Sequence, residues 1–343
     1  FYNPYLDSVS GGERYVLALA AHWSKNYNVE VFWDDPAILS KAQERLHLDL
    51  TKVRVVPNVF STGNLLTKFL ISRTYDLIFF LSDGSVPTSL AKHNILHFQV
   101  PFSKVTASGW KLGRYDAIVC NSKFTKENLD PALHNKAIVI YPPVATQASR
   151  SGKKENIILT VGRFHPTKKQ DILIEIFKKI VKKKEYVKWR LVCVGGLLPA
   201  DVQYFTSLQD ASGGYPISFI PNAPFDELEL FYGKASVYWH AAGFEESDPT
   251  LQEHFGISTV EAMAHGCIPV IYNGGGLVEI ITEGKNGYLW KTERELLGKT
   301  LALLVNQPLT QKIRQLSEKR SHDFDESKFF QAFDNLLLTM MNK

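Results

Sequence analysis

Apolar and polar positions follow two alternating periods along the chain, and this alternation predicts an α/β protein. Short apolar runs that end at polar or glycine-containing turns have the length and composition of buried strands. Between them, apolar residues recur three and four positions apart, as in Tyr15, Val16, Leu19 and Trp23, which predicts amphipathic helices. Short strands that alternate with helices imply parallel sheets joined by right-handed crossovers.

The predicted strands form two groups on either side of a polar stretch. The first group is 29–33, 53–56, 75–81, 94–98, 116–122 and 137–141. The second group is 157–161, 189–194, 217–220, 237–240, 268–271 and 287–289. The stretch from Thr146 to Glu155 is rich in Ser, Gly and Lys and is the predicted linker. The last apolar segment, from Phe329 to Leu338, predicts a terminal amphipathic helix.

The length of 343 residues favours two domains, because it is more than one hydrophobic core usually supports. We predict a first domain at 1–147, a second at 148–325 and the terminal helix at 326–343. A hydrophobic content of 45% is typical of a well-buried globular protein. The chain opens on Phe1 without an initiator Met or a signal-peptide pattern, so we expect that it begins part-way through its first strand and that a short N-terminal piece is missing.

Charge and cysteine content narrow the functional classes. The net charge of +4 is mild, and the lysines at 178–179 and 182–184 follow apolar residues at helical spacing, which favours a solvated helix face over a nucleic-acid or lipid patch. Cys120, Cys193 and Cys267 lie in or beside apolar strands without metal-like spacing, which predicts buried free thiols in a reducing compartment. No apolar run approaches the roughly 18–20 residues of a transmembrane helix. We therefore expect a cytoplasmic protein.

The most informative chemistry is a pair of glutamates, Glu253 and Glu261, separated by seven residues. The second lies in the first turns of a predicted short helix that Ser258 or Thr259 can cap. A loop carboxylate and a helix carboxylate beside the buried strand 268–271 suit a ligand at the carboxyl ends of a parallel sheet. A solvated helix face is the alternative interpretation.

Cationic side chains follow another predicted strand. Arg163 and Lys168 lie in the loop directly after strand 157–161, where Arg suits bidentate phosphate contact and Lys acts as a point charge. The three glycines Gly274–Gly276 follow strand 268–271, and backbone amides in such a run can approach an anion closely. Cations for a pyrophosphate and carboxylates for hydroxyls make one coherent site, although a surface pair is the alternative for the two cations.

These segments resemble family 4 of the retaining nucleotide-sugar glycosyltransferases. The resemblance rests on Gly-Arg-Phe-x-x-x-Lys from Gly162, on Glu-x-Phe-Gly-x-x-x-x-Glu from Glu253 and on the later Gly-Gly-Gly. The N-terminal half matches in pattern only: Asn3-Pro4-Tyr5 and Ser10-Gly11-Gly12-Glu13-Arg14 look like the family's first strand and glycine-rich turn. The resemblance implies the GT-B architecture, in which two Rossmann-like parallel-sheet domains face each other across a cleft and a C-terminal helix crosses back to the first domain.

The resemblance also implies an activity: transfer of a hexose from a nucleotide diphosphate sugar to an acceptor hydroxyl, with retention of configuration. Arg163 and Lys168 would stabilise the departing diphosphate, Glu253 would bind hydroxyls of the transferred sugar, and Glu261 would bind the ribose. Further contacts to the nucleotide sugar are expected from Gly11, Gly12, Gly162, Phe255, Gly256 and Ile257. For Gly11 and Gly12 an ordinary tight turn is the alternative.

Two histidines at predicted strand ends are further candidates. His97 resembles the family's first-domain histidine, which lies near the transferred sugar, so we count it among the catalytic candidates. A core histidine is the alternative for this residue. His240 follows an apolar run in the second domain and is a candidate for lining the base pocket.

The acceptor is expected to bind the first domain through Phe102, Lys104, Trp110 and Lys111, which mix aromatic and basic groups after a strand end. An ordinary surface loop is the alternative. Such a rim suits an anionic or lipid-linked acceptor, with peripheral contact to the inner membrane surface. The expected partners are thus a UDP- or GDP-hexose donor and a glycan or lipid-linked acceptor, and not nucleic acid.

No cofactor and no metal are expected. The one Asp-x-Asp pair, Asp323 and Asp325, precedes the terminal helix, where capping is the simpler role. Other GT-B sugar-nucleotide enzymes, such as an epimerase or a phosphorylase, and a non-catalytic sugar-binding module remain alternatives. A dinucleotide oxidoreductase is disfavoured because no Gly-x-Gly-x-x-Gly follows a predicted strand.

Overall fold

The computed structural model describes residues 1–8, 11–147 and 153–342. Contacts divide the chain into two compact units: unit 1 comprises Phe1–Pro143 and Glu326–Lys343, and unit 2 comprises Val144–Asp325. The predicted boundary between 147 and 148 adjoins residues 148–152, which lie outside the described residues. Part of the predicted linker lies there as well. Ser10 of the glycine-rich motif also lies outside the described residues.

The strands of the described residues coincide with the two predicted groups, since each strand in those groups overlaps an observed strand. They are β1 (Val29–Phe32), β2 (Val53–Val56), β3 (Leu77–Leu81), β4 (His93–Phe98), β5 (Ala117–Cys120), β6 (Ala137–Val139), β7 (Glu155–Val161), β8 (Arg190–Gly195), β9 (Ile217–Pro221), β10 (Ala235–His240), β11 (Ile268–Tyr272) and β12 (Tyr288–Trp290).

Helices connect the strands in both units. They are α1 (Gly11–Trp23), α2 (Ile38–Leu46), α3 (Val59–Thr62), α4 (Leu65–Ser72), α5 (Gly109–Gly113), α6 (Lys123–Glu127), α7 (Gln170–Val181), α8 (Val202–Ala211), α9 (Phe225–Lys234), α10 (Ile257–Ala264), α11 (Glu293–Val305), α12 (Gln307–Ser321) and α13 (Glu326–Met341). Single turns of 3-10 helix lie between several of them, including Pro166–Lys168 after β7 and Pro199–Asp201 after β8.

The sheet of unit 1 is parallel throughout. β3, β4, β5 and β6 pair in that order, and β1 pairs with β2. Tyr2 forms parallel bridges to Phe32 in β1 and to Phe80 in β3, and so joins the two parts. The predicted first strand at Asn3-Pro4-Tyr5 is therefore wrong by position, because only Tyr2 pairs and a 3-10 turn begins at Leu6.

Alternate residues of the buried strands face two separate apolar clusters in unit 1, one on each side of the sheet. Phe79 packs with Tyr15 of α1, whereas its neighbour Phe80 packs with Phe60 of α3. This explains why β3 is apolar at consecutive positions, since a strand that is covered on both faces needs an apolar residue at every position.

The terminal helix α13 belongs to unit 1. Phe329, Phe333, Leu337 and Met340 lie on one of its faces and are buried in the same cluster as Tyr15. Each buried side chain of this size contributes about 1.5–3 kcal/mol relative to exposure, so this face holds α13 firmly against the sheet. The terminal helix predicted from residue 326 is thus observed and packs on the first unit.

Unit 2 contains one six-stranded parallel sheet in the order β12-β11-β10-β7-β8-β9. β7 lies at its centre between β10 and β8. Because all neighbours are parallel, the residues that follow Val161, Gly195, His240 and Tyr272 emerge at the same edge of the sheet. That edge is where ligands bind in open α/β sheets.

Candidate functional site

The carboxyl edge of the unit 2 sheet gathers the predicted cations and carboxylates. Gly162 and Arg163 follow β7 directly, and the loop after β8 passes very close to them. A Cβ atom on Gly195 would lie 1.8 Å from the Gly162 carbonyl oxygen, so only glycine allows the two loops to approach this closely. The Gly162 amide donates to Val194, and the loop that carries Arg163 is thereby tied to the sheet.

Glu253 lies at the centre of a cluster with Lys168 and His240. The Lys168 Nζ atom lies 2.7 Å from Glu253 Oε2, and His240 Nε2 lies 3.2 Å from the same oxygen. No described residue bonds to Oε1, which leaves this oxygen free to accept from a ligand hydroxyl. Burial alone would raise the pKa of Glu253, but the Lys168 ammonium and His240 outweigh it and hold the pKa well below the usual range.

The glycines after β11 fix the Glu253 backbone. Gly276 donates its amide to the Glu253 carbonyl at 2.7 Å, and a Cβ atom on Gly275 would lie 2.2 Å from that carbonyl oxygen. Gly275 also has a φ of 59°, in the left-handed region that favours glycine. Our expectation that this glycine run aims its amides at an anion is thus wrong for Gly276, because its amide already serves the Glu253 loop.

Arg163 is oriented by a carboxylate that the sequence analysis missed. Its Nε atom lies 3.1 Å from Oδ2 of Asp201, whose side chain is 6% exposed whereas that of Arg163 is 46% exposed. His165 Nε2 lies 3.9 Å from the other Asp201 oxygen. Burial and the neighbouring Arg163 charge lower the pKa of His165. The only sequence signal for Asp201 was its place in a short turn after β8 that contains Pro199.

Glu261 has a buried partner as well. The Tyr232 hydroxyl donates to Glu261 Oε2 at 2.9 Å. The helix α10 begins after Gly256, whose φ is 109° and whose Cβ would lie 2.6 Å from Leu277 Cδ2. The predicted cap by Ser258 or Thr259 is wrong, since the N-cap is Gly256 without a side-chain cap.

The start of α10 is nevertheless held at the strand ends. The Ser258 hydroxyl donates to the Val161 carbonyl at 3.4 Å and accepts from Tyr238 at 2.8 Å, which places α10 beside the end of β7. Phe255 is 3% exposed and packs edge-on against Phe324, so its ring serves the core. Phe255 can therefore contribute to nucleotide-sugar binding only through its backbone. The other two expected residues, Gly256 and Ile257, lie at the start of α10.

In unit 1, the surroundings of His97 support the core alternative. The side chain is completely buried, its ring stacks on Tyr15 at 4.0 Å, and Nδ1 donates to the Val119 carbonyl at 3.0 Å. Burial lowers the pKa of His97 to about 3, so the imidazole is neutral at physiological pH. The ring is enclosed by its own unit, but its Nε2 atom has no hydrogen-bond partner among the described residues, so contact with the transferred sugar stays a prediction.

Gly12 lies against a residue that the sequence analysis passed over. Gln99 follows β4 and donates from Nε2 to the Gly12 carbonyl at 2.7 Å. A Cβ atom on Gly12 would lie 2.6 Å from Gln99 Oε1. The glycine is therefore needed for this contact. A ligand site and an ordinary tight turn both stay open for Gly11 and Gly12, because these residues begin α1 and are exposed and half-buried, respectively.

The expected acceptor residues divide into two kinds. Phe102 packs on its own unit, with its ring 6.1 Å from that of Phe98. Lys104 is exposed, Trp110 is 54% exposed in α5, and Lys111 lines a cavity of about 340 Å³ together with Lys68 of α4. The structure thus leaves Lys104, Trp110 and Lys111 accessible.

The Asp-x-Asp pair is engaged within unit 2. Arg320 donates to Asp323 at 2.8 Å, and Thr146 donates to Asp325 at 2.6 Å. Within residues 1–8, 11–147 and 153–342, no group of three or more His, Cys, Asp or Glu side chains could hold a metal ion. In the same residues all three cysteines are free and buried, as predicted.

A family model for glycosyl transferases group 1 matches residues 144–321, which include the Arg163, Lys168, Glu253 and Glu261 positions. The chain belongs to the glycosyl transferases group 1 family. Among curated members and relatives, an uncharacterized glycosyltransferase of Methanocaldococcus jannaschii is 31% identical over 62% of this chain and 56% of its own length. The GDP-Man:Man(3)GlcNAc(2)-PP-Dol alpha-1,2-mannosyltransferase of Xenopus tropicalis is 28% identical over 64% of this chain and 48% of its own length. The chain thus spans about half the length of the curated relatives it matches.

Solved glycosyltransferase structures share the fold of this group 1 chain. Anabaena Alr3699/HepE in complex with UDP aligns with a TM-score of 0.74 and 18% identity over 96% of both chains. The glycosyltransferase of Rickettsia africae aligns with a TM-score of 0.75 and 16% identity over 97% of this chain and 96% of its own. The expected GT-B fold with two Rossmann-like parallel-sheet domains is therefore confirmed. No helix in the described part of the chain is both long and apolar enough to cross a membrane.

Proposed function

We propose that this group 1 family member is a retaining glycosyltransferase, independent of metal, that moves a hexose from a nucleotide diphosphate sugar to an acceptor hydroxyl. The observation that carries the proposal is the cluster of Lys168, Glu253 and His240 at the carboxyl edge of the unit 2 sheet. The ammonium and the carboxylate lie 2.7 Å apart. Together they suit a sugar phosphate, in which a phosphate oxygen for the ammonium lies next to a sugar hydroxyl for the carboxylate.

The reaction breaks the bond between the anomeric carbon and the diphosphate oxygen and forms a bond from that carbon to the acceptor oxygen. The acceptor proton passes to the departing phosphate on the same face of the sugar, so no protein base is needed. Negative charge grows on the diphosphate, and fixed cations aimed at this charge supply a large catalytic effect. Arg163 suits this role because Asp201 holds only its Nε atom, so the terminal nitrogens can bind phosphate.

The two glutamates have different tasks in this proposal. Glu253, ionised and held by Lys168 and His240, accepts from hydroxyls of the transferred sugar through Oε1. Glu261, held by Tyr232 at the start of α10, accepts from the ribose hydroxyls of the nucleotide. The ribose contact persists through the reaction, whereas the sugar changes geometry, so Glu253 should matter more for turnover.

Names of the relatives favour one donor and one acceptor class. Mannosyltransferases named for GDP-Man and a PP-Dol-linked oligosaccharide recur among them, in Xenopus, human, mouse and Dictyostelium. We therefore propose a GDP-linked hexose as the first donor to test, with a UDP-linked hexose second, and a lipid-linked or other glycan as acceptor. Lys104, Trp110 and Lys111 remain the proposed acceptor contacts because all three are accessible, whereas Phe102 is mostly committed to its own unit.

The test is incubation of the protein with GDP-mannose and UDP-glucose, with and without a lipid-pyrophosphate oligosaccharide, followed by detection of released nucleoside diphosphate and of the anomeric configuration in the product. Glu253→Gln should lower turnover by roughly 10²–10³. Its matched control is Glu293→Gln, which breaks an exposed Lys179–Glu293 pair at 3.0 Å and should leave turnover unchanged. Release of no nucleoside diphosphate from either donor would contradict the proposal, and an inverted product would contradict retention.

A further inference from the structure

The most exposed apolar surface of unit 1 lies on α4. Leu65, Leu66 and Leu70 are 57%, 65% and 60% exposed, and they lie on the same side of an eight-residue helix. The ring of Phe69 on the same side meets Trp110 of α5 edge-on at 6.2 Å, and Trp110 is itself 54% exposed. We call Leu65, Leu66, Leu70 and Trp110 the leucine–tryptophan patch. Contiguous apolar surface of this kind marks an interaction site.

The segments that carry the patch are basic. Residues 59–75 and 101–115, which contain α4 and α5, carry five Lys and Arg residues and no Asp or Glu. Lys68 and Lys111 line one cavity of about 340 Å³ beside Leu65. Two lysines that line one hollow next to an exposed leucine fit a phosphate-bearing headgroup with acyl chains beside it.

We infer that the leucine–tryptophan patch docks unit 1 on a bilayer that contains anionic lipids. The leucines and Trp110 would enter the headgroup and acyl boundary, as amphipathic surfaces with Trp and Leu on one face and Lys beside it do. The inference goes beyond the proposed function, because it concerns where the protein works and not which bond it makes. It would bring Lys104 and Lys111 close to a lipid-linked acceptor in the same membrane.

The test is flotation of the full chain with vesicles of phosphatidylcholine alone and with about 30% phosphatidylserine, since the anionic leaflet supplies the attraction. Wild-type protein should float with the anionic vesicles and much less with the neutral ones. Leu66→Ser with Leu70→Ser should weaken binding by roughly ten- to a hundredfold, because each half-exposed leucine loses part of its transfer free energy. Lys68→Ser with Lys111→Ser should remove the preference for anionic vesicles.

The matched control is Leu338→Ser. Leu338 is 58% exposed on α13, which packs on the opposite face of the unit 1 sheet, so this variant should float like the wild type. Equal flotation of the Leu66/Leu70 variant, or no flotation of the wild type, would overturn the inference. So would a concentration-dependent dimer that the same variant abolishes, because the patch would then be a protein interface. Binding of GDP by calorimetry should be unchanged in the leucine variant, and this readout separates failure of the membrane inference from failure of the proposed function.

Discussion

Tyr232→Phe isolates the role of Glu261 with the loss of a single oxygen atom. The Tyr232 ring is 1% exposed, and it stacks on His265 at 5.4 Å, a contact that phenylalanine preserves. What disappears is the hydroxyl that donates to Glu261 at 2.9 Å. We predict weaker nucleotide binding with nearly unchanged turnover of bound donor, because the proposed ribose contact would be made before and during the reaction.

The magnitude follows from two contributions. A hydrogen bond to a charged group contributes about 1.5–3 kcal/mol to folding, and the low end applies because the half-buried Glu261 can recruit water in its place. Without the Tyr232 hydroxyl, the Glu261 side chain can occupy about three staggered rotamers in the free protein. The ligand must then order this side chain on binding, which costs about RT ln 3, or ~0.65 kcal/mol. This corresponds to about threefold, and imperfect geometry extends the expected weakening to roughly tenfold.

The assay is calorimetric titration with GDP and UDP, together with urea unfolding. Tyr75→Phe is the matched control, since it removes a tyrosine hydroxyl that donates to the Glu30 carboxylate at 2.6 Å in unit 1. Both variants should lose stability, but only Tyr232→Phe should lose nucleotide affinity. A nucleotide Kd within twofold of the wild type, in a variant that is destabilised as expected, would refute the reasoning that Glu261 is held in place for the ribose.

Three further predictions concern charge. Arg163→Ala and Lys168→Ala should each lower turnover by roughly 10²–10³, measured as release of nucleoside diphosphate. A wild-type rate in either variant would contradict the role of that residue in stabilising the departing diphosphate. Activity should survive EDTA, since Arg163 and Lys168 are proposed to take the place of a metal; inactivation that Mn²⁺ or Mg²⁺ reverses would contradict this. Lowering the pH from about 6.5 to 4.5 should cost about 2 kcal/mol of stability through His97, because its pKa is about 3 when folded and about 6.5 when unfolded. That contribution is complete above pH 6.5 and is lost as the pH falls towards 3, so His97→Gln should show a flatter pH dependence in urea unfolding.

The fold was predictable because its signals are local. Buried parallel strands are apolar at consecutive positions, and β3 and β7 could be recognised from that pattern alone. Tyr2 was harder to place, because a single residue that pairs with two strands has no period to detect. The start of α10 was misplaced for a related reason: the N-cap is set by the left-handed backbone of Gly256, and the nearby hydroxyls of Ser258 and Thr259 drew the prediction to a side-chain cap.

Candidate site residues were predictable where a motif joins charge to a strand end, as for Lys168 and Glu253. Asp201 and Tyr232 were not predictable, because each acts through a partner that is distant in sequence, 38 residues away for Asp201 and Arg163 and 29 for Tyr232 and Glu261. His97 shows the opposite limit. A histidine at a strand end has the same sequence pattern whether its side chain packs in the core or faces a ligand, and the stacking of His97 on Tyr15 is visible only in the tertiary structure.

The pairing of Lys168 with Glu253 has a consequence for selectivity. A free phosphate that binds Lys168 must draw the ammonium away from Glu253, which leaves a half-buried carboxylate with only His240 as partner. In the proposed function a nucleotide sugar avoids this loss, because its hydroxyls would donate to Glu253 while its phosphate binds Lys168. We therefore predict that the pair favours the intact donor over the nucleoside diphosphate product. It follows that Glu253→Gln, which removes the penalty, should bind GDP at least as tightly as the wild type even though it turns over more slowly.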